Sequence, residues 1–178
     1  AGANFRFMEE KYNFQVGGAV QFASLNNLSR RAIWGKDSTT TQSYINFFPN
    51  ASLDYKVGDN RSVKLNYRGN TKAPSITQLQ DVADVSNPLR IRTGNPDLAQ
   101  EFNNQLDLSY KTTNTSSAYL NLAVNSGITS NKIVNSIDTL GNAVQIVKPV
   151  NLNGSYNAGA VATIGLPLVK TATGQRSP

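Results

Sequence analysis

The sequence predicts an all-β chain: an antiparallel transmembrane β-barrel wall of about seven strands, belonging to a larger barrel. Three observations carry this prediction. Apolar and polar residues alternate with period two along most of the chain. The connections between the alternating runs are short at one end and long at the other. The polarity is mostly uncharged: hydrophobic residues make up 39% and charged residues 16%, where a soluble domain carries about 25% charged residues.

The runs come in order. A short opening strand surrounds Phe5 and Phe7. Tyr12, Phe14, Val16, Gly18, Val20 and Phe22 alternate with Asn13, Gln15, Gly17, Ala19 and Gln21, giving one apolar and one polar face. Ile45, Phe47, Ala51, Leu53, Tyr55 and Val57 follow, opposite Asn46, Asn50, Ser52 and Asp54, with a break at Phe48 and Pro49 that reads as a bulge. Val63, Leu65 and Tyr67 alternate with Ser62, Lys64, Asn66 and Arg68, and Leu106, Leu108 and Tyr110 with Gln105, Asp107 and Ser109. Ala118, Leu120, Leu122 and Val124 form the next run, and a last one extends from Val150 to Leu166.

Glu9 to Lys11, Gly58 to Asn60 and Thr112 to Ser116 are short turns, whereas Leu25 to Gln42 and Gly69 to Glu101 far exceed a hairpin loop of about two to five residues. A third outward connection turns tightly at Gly141 and Asn142, at the tip of two long strands. Outer-membrane barrels sort their loops this way. Tyr12, Tyr55 and Tyr110 lie near the short turns and Phe22, Phe47 and Tyr67 near the opposite ends, as two aromatic girdles would. Tyr12 to Phe22, at ~3.3 Å per residue and a tilt near 45°, covers roughly 23 Å of membrane normal. No apolar run reaches the ~18 residues of a membrane-spanning helix. Lipid forbids open sheet edges, and seven strands depart from the even count of bacterial barrels, so the remaining strands are expected outside this chain.

The segment Leu65 to Leu98, LNYRGNTKAPSITQLQDVADVSNPLRIRTGNPDL, resembles the outer-membrane β-barrel region of TonB-dependent receptors, within the outer membrane protein β-barrel family. The resemblance continues through NKIVNS (Asn131 to Ser136), KPVNLNGSYN (Lys148 to Asn157) and GLPL (Gly165 to Leu168). Where that family follows GNPDL with a Lys-Pro-Glu-like stretch, this chain has Ala99, Gln100 and Glu101. The resemblance implies location in the cell outer membrane and a barrel of about 22 strands around a plug domain. It also implies import of a nutrient ligand, energised through the TonB system. Residues 1–178 then form a single partial barrel domain without the plug. Expected partners are outer-membrane lipid, TonB and the plug, with a surface lipoprotein as a further candidate. The rival readings are a small independent eight-stranded barrel with an anchoring or adhesive role, and a soluble β-sandwich binding module.

Cysteine and histidine are both absent, which removes the usual zinc ligands and the commonest nucleophile and base pairings. No catalytic, metal or cofactor residue is expected, and the chain reads as a non-enzyme. Asp81 and Asp84 have no histidine or metal motif beside them. The net charge of +6 is scattered rather than gathered into a patch, so nucleic acid is not an expected partner. Candidate ligand contacts lie in the long loops: Trp34 in the first, and Arg90, Arg92, Asn95 and Asp97 in the second. Asn87-Pro88 and Gly94-Asn95-Pro96 also have a purely local reading as turns fixing the loop to the rim. Trp34 reads equally as an interfacial anchor.

Overall fold

A computed structural model describes residues 1–29, 38–115, 117–141 and 143–167. Strands β1 (Gly2–Met8), β2 (Tyr12–Ser29), β3 (Ser38–Gly58) and β4 (Arg61–Lys72) lead to a single helical turn, α1 (Ile76–Leu79), and the three-residue strand β5 (Arg90–Arg92). Then come β6 (Glu101–Thr113), β7 (Tyr119–Ser130), β8 (Lys132–Thr139), β9 (Gln145–Leu152) and β10 (Ser155–Gly165). Seven of these form one antiparallel sheet in the order β1-β2-β3-β4-β6-β7-β10, and β5-β9-β8 form a small second sheet. The strand count expected for the wall is the count observed.

Period-two alternation becomes two opposite faces because the register carries like residues across the whole sheet. One line of partners runs Phe7, Phe14, Leu53, Leu65, Leu108, Val124 and Ala160. The neighbouring line runs Arg6, Gln15, Ser52, Asn66, Asp107, Asn125 and Gly159, on the opposite face. A one-residue slip anywhere would exchange the two. The apolar face is not packed against another layer: Leu108 remains 43% exposed and Val124 47%. The buried apolar residues among those described are Leu79, Leu98 and Val147, none of them in the seven-stranded sheet. A sandwich would bury its stripes; this sheet presents them outward, as a wall facing lipid does.

The rims carry the aromatics. Tyr12 and Tyr55 stack beside the short turns with ring centroids 5.0 Å apart, and Phe47 and Phe102 stack at 6.4 Å near the opposite end. Gly69 lies between Pro49 and Phe102, which close over the position a Cβ would occupy. Asn104 falls in the apolar line but is satisfied by the Tyr67 hydroxyl, which donates to its Oδ1 at 2.8 Å.

Four expectations are corrected. The wall does not bulge at Phe48 and Pro49: β2 and β3 keep continuous register through Ala19–Phe48 and Gly18–Pro49, and the one shift between β3 and β4 falls between Lys56 and Gly58. Proline lacks an N–H, and the β3–β4 ladder ends at Asn50–Arg68. Beyond it the Thr71 hydroxyl accepts from the Phe47 N–H at 2.9 Å and donates to the Phe47 carbonyl at 3.1 Å. Second, the connection from Leu25 to Gln42 is largely strand, with pairing from Leu25–Gln42 out to Ser29–Ser38. Its Asn, Ser and Thr residues carry no apolar–polar alternation from which a strand could be read. Third, the run from Val150 to Leu166 is two strands, β9 and β10, broken where Gly154 adopts a φ of +83°. Fourth, the loop expected from Gly69 begins after Lys72 and has structure of its own.

Candidate functional site

Where β7 leaves the wall, Asn131 takes a φ of +53°, a left-handed conformation that asparagine tolerates. The break frees β8 and β9 to form their own hairpin, near whose tip the Leu140 N–H donates to the Val144 carbonyl at 2.8 Å. Of the turn expected at Gly141 and Asn142, Asn142 lies outside the described residues, and the strands that lead to it are divided from the wall. The Asn131 N–H donates to Asn153 Oδ1 at 2.8 Å, stapling the two breaks together.

This hairpin pairs with the loop after β4. Strand β5 runs parallel to β9, Arg90 opposite Gln145 and Arg92 opposite Val147. Asn95 Nδ2 donates to the Pro149 carbonyl at 3.0 Å. Asn151 accepts from the Ala99 N–H at 2.8 Å through Oδ1, and its Nδ2 donates to the carbonyls of Ala99 and Asn131. Leu79, Leu98 and Val147 supply the apolar core, one each from α1, the loop and β9. The two excursions are thus fused into one cap with a small hydrophobic centre.

Ser75 starts α1 with a reciprocal capping box: its side chain accepts from the Gln78 N–H, and Gln78 Oε1 accepts from the Ser75 N–H at 2.9 Å. Gly94 lies buried against the Gln80 carbonyl, and any Cβ there would overlap that oxygen.

The cap folds over the polar face of the wall. Gln42 and Asn46 belong to the polar row of β3; Gln42 Nε2 donates to the Pro96 carbonyl at 2.9 Å, and Gln100 Nε2 donates to Asn46 Oδ1 at 3.0 Å. Glu101, 8% exposed, anchors the joint. Its Oε1 accepts from the Ile133 N–H at 2.7 Å and its Oε2 is 3.7 Å from Lys72 Nζ.

Within the cap, α1, the segment from Val82 to Asp84, β5 and the inner face of the β8–β9 hairpin enclose a cleft of about 690 Å³. Arg90 and Arg92 both line it, as alternation along β5 requires, together with Thr77, Asp84 and Asn135. Asp84 is bridged to Arg92 through the backbone, N–H to carbonyl in both directions. Its Oδ1 accepts from the Ser86 hydroxyl at 2.6 Å and the Ser86 N–H at 3.0 Å. Those two bonds, with a smaller contribution from the Arg92 charge, hold the Asp84 carboxyl below the usual carboxylate range. Asp81 accepts separately from the Thr93 hydroxyl at 2.9 Å, so the two aspartates serve different partners.

The structure brings Arg90 and Arg92 into one cleft and leaves Asn95 and Asp97 out of it. Asn95 is a brace, bonded to Gln78 and Pro149 as well as to the Asp97 N–H, and Asp97 stands exposed beside it. The local reading of Asn87 also fits the geometry, since its Oδ1 accepts from the Leu89 N–H at 3.0 Å. Trp34 lies outside the described residues. Sequence reasoning missed Asn135, Asn151 and Glu101, whose partners are remote in the chain, and it missed the Ser75-to-Gln78 capping box, which the Ser-x-x-Gln spacing signals.

A single antiparallel sheet with one apolar and one polar face, short turns at one end and a folded cap at the other, defines the wall of an outer-membrane β-barrel. The family model for the outer membrane protein β-barrel family matches residues 1–176, and the chain belongs to that family. It is a protein of the outer membrane, as the resemblance implied. Among solved structures, it is similar to the siderophore receptor PirA from Pseudomonas aeruginosa, with 13% identity and a TM-score of 0.58, covering 95% of this chain and 39% of that one. It is also similar to a double mutant of the Serratia marcescens hemophore receptor HasR in complex with its hemophore HasA and heme. There the identity is 13% and the TM-score 0.60, covering 92% of this chain and 30% of the receptor. At this identity the likeness is one of fold. The chain spans well under half the length of either receptor. No curated protein matches the sequence.

Proposed function

We propose that this chain is part of the barrel of a TonB-dependent receptor that imports a nutrient ligand across the outer membrane. The plug and the remaining strands, bringing the total to about 22, then lie outside residues 1–178, which form a single partial-barrel domain. The observation that carries the reading is the cap. Two long excursions are cross-braced and laid over the polar face, the position from which loops contact a solute entering the lumen. Membership of the family and likeness to two receptors support it. Under this reading the role is non-enzymatic, which the likeness to two receptors supports. Partners under this reading are outer-membrane lipid, the plug, TonB and a surface lipoprotein over the cap.

The test is a gel of native outer membranes, boiled and unboiled in detergent and probed with an antibody to this segment. A heat-shifting band several times heavier than 19.3 kDa supports the reading. A heat-shifting band of that size would instead establish a small independent barrel, and a soluble, unshifted band would remove the membrane assignment altogether.

A further inference from the structure

From the cleft between α1, β5 and β9 we infer a binding site for an anionic, hydroxyl-rich small molecule of the acidic-sugar class, held by Arg90 and Arg92. The inference rests on the receptor reading only for where the ligand goes next. The cleft, at about 690 Å³, falls in the size range of small-molecule sites, about 300–1,000 Å³.

Its chemistry selects the ligand. Arg90 and Arg92 are alternate residues of one short strand, so their side chains leave the same face roughly 7 Å apart at the backbone. The ion pairs among the described residues, Lys64–Asp54 and Lys72–Glu101, involve neither of them. Asp84, the one carboxylate lining the cleft, is engaged by two hydrogen bonds from Ser86, leaving the guanidinium forks with donors to spare. A planar guanidinium matches carboxylate, sulfate or phosphate oxygens in bidentate fashion. Around the two arginines stand the Thr77 hydroxyl and the Asn135 amide, which offer donors and acceptors to ligand hydroxyls. No aromatic ring lines the cleft, so recognition proceeds by charge and hydrogen bonding rather than stacking.

The backbone beneath is fixed. Strand β5 is held on one side by β9 and on the other by the paired bonds between Asp84 and Arg92, and Gly94 seals the end against Gln80. The arginines therefore project from a braced strand rather than from a loose loop, which lowers the ordering cost of binding.

The experiment uses the full-length receptor purified from outer membranes in detergent, with its heat shift verified for every variant. Binding is measured by calorimetry for a uronic-acid disaccharide, its neutral counterpart, citrate and inorganic phosphate. The acidic disaccharide is expected to bind at least about tenfold more tightly than the neutral one, and Arg90→Gln with Arg92→Gln to abolish that difference. Lys148→Gln, on the opposite face of the same small sheet, is expected to leave it intact. Equal binding of the two sugars, no binding of either, or indifference to the double substitution overturns the site. Citrate or phosphate bound as tightly as the acidic sugar overturns the polyol part of the assignment. Whole-cell uptake separates the two readings. Arginine-dependent binding without energised uptake would sink the receptor and leave the cleft. Energised uptake that ignores the double substitution, with no acidic-sugar preference, would do the reverse.

Discussion

Leu108 and Ser109 are adjacent in β6 and face opposite environments, and a charge distinguishes them. Leu108→Arg places a guanidinium in the apolar line and is expected to cost about 2–4 kcal/mol at mid-membrane depth. Ser109→Arg, in the polar row beside Lys64 and Ala123, is expected to cost far less. Urea titration of the barrel folded into lipid vesicles measures both; equal tolerance would mean that the faces are assigned wrongly. Glu101 offers a second contrast. Glu101→Ala leaves the half-buried Ile133 N–H without its acceptor, at an expected cost of about 1 kcal/mol, while Glu101→Gln keeps a carbonyl acceptor and loses only the longer contact to a well-exposed Lys72. Protease sensitivity of the β8–β9 hairpin should rise in the first variant and stay near wild type in the second. Asp84 titrates in a predictable direction. Its folded pKa is depressed, so the bonds from Ser86 contribute above the ordinary carboxylate value of about 3.9 and are lost as pH falls through the lower folded value. Carboxyl NMR should show Asp84 titrating below a model aspartate, and Ser86→Ala should return it upward.

At the scale of elements, alternation was legible wherever one face meets lipid and the other water, which is why all seven wall strands could be read, from Phe5 and Phe7 to Ile164. It failed where β2 and β3 continue through Leu25 to Ser29 and Ser38 to Gln42, a stretch whose sequence carries no apolar–polar alternation. It failed again at β5, whose three residues hold their place only through parallel pairing with β9, a contact that no local pattern encodes. The arginines of β5 could be singled out because they sit in a long loop, but their convergence on one cleft depends on that pairing. Gly94 shows the same limit: read as part of a turn, it is required because α1 and the loop approach too closely for a side chain. Gly94→Ala should push the Gln80 backbone away at an expected cost of about 1–3 kcal/mol. Limited proteolysis should then cut between Asp81 and Thr93 while the wall stays protected; uniform protection would show that the cap can yield at no cost.

For the molecule as a whole, the wall is built from neighbours and the cap from strangers. Each pairing in the seven-stranded sheet joins elements consecutive among its own strands, so it can close hairpin by hairpin. β7 and β10 pair across the β8–β9 hairpin that lies between them in the chain. The cap's bonds are different: Asn95 reaches Pro149 and Gln42 reaches Pro96 across 54 residues each, and Ala99 reaches Asn151 across 52. Such contacts bear a loop-closure cost that local pairings avoid, and they form slowly unless something has already brought their ends together. The β6–β7 hairpin does so, because it delivers Glu101 and Ser130, the bases of both excursions, to the same rim. The cap is therefore a record of completed assembly: during insertion the wall zips first, and the arginine-lined cleft comes into existence only afterwards. A barrel halted midway through insertion would have its span but nothing with which to greet a ligand.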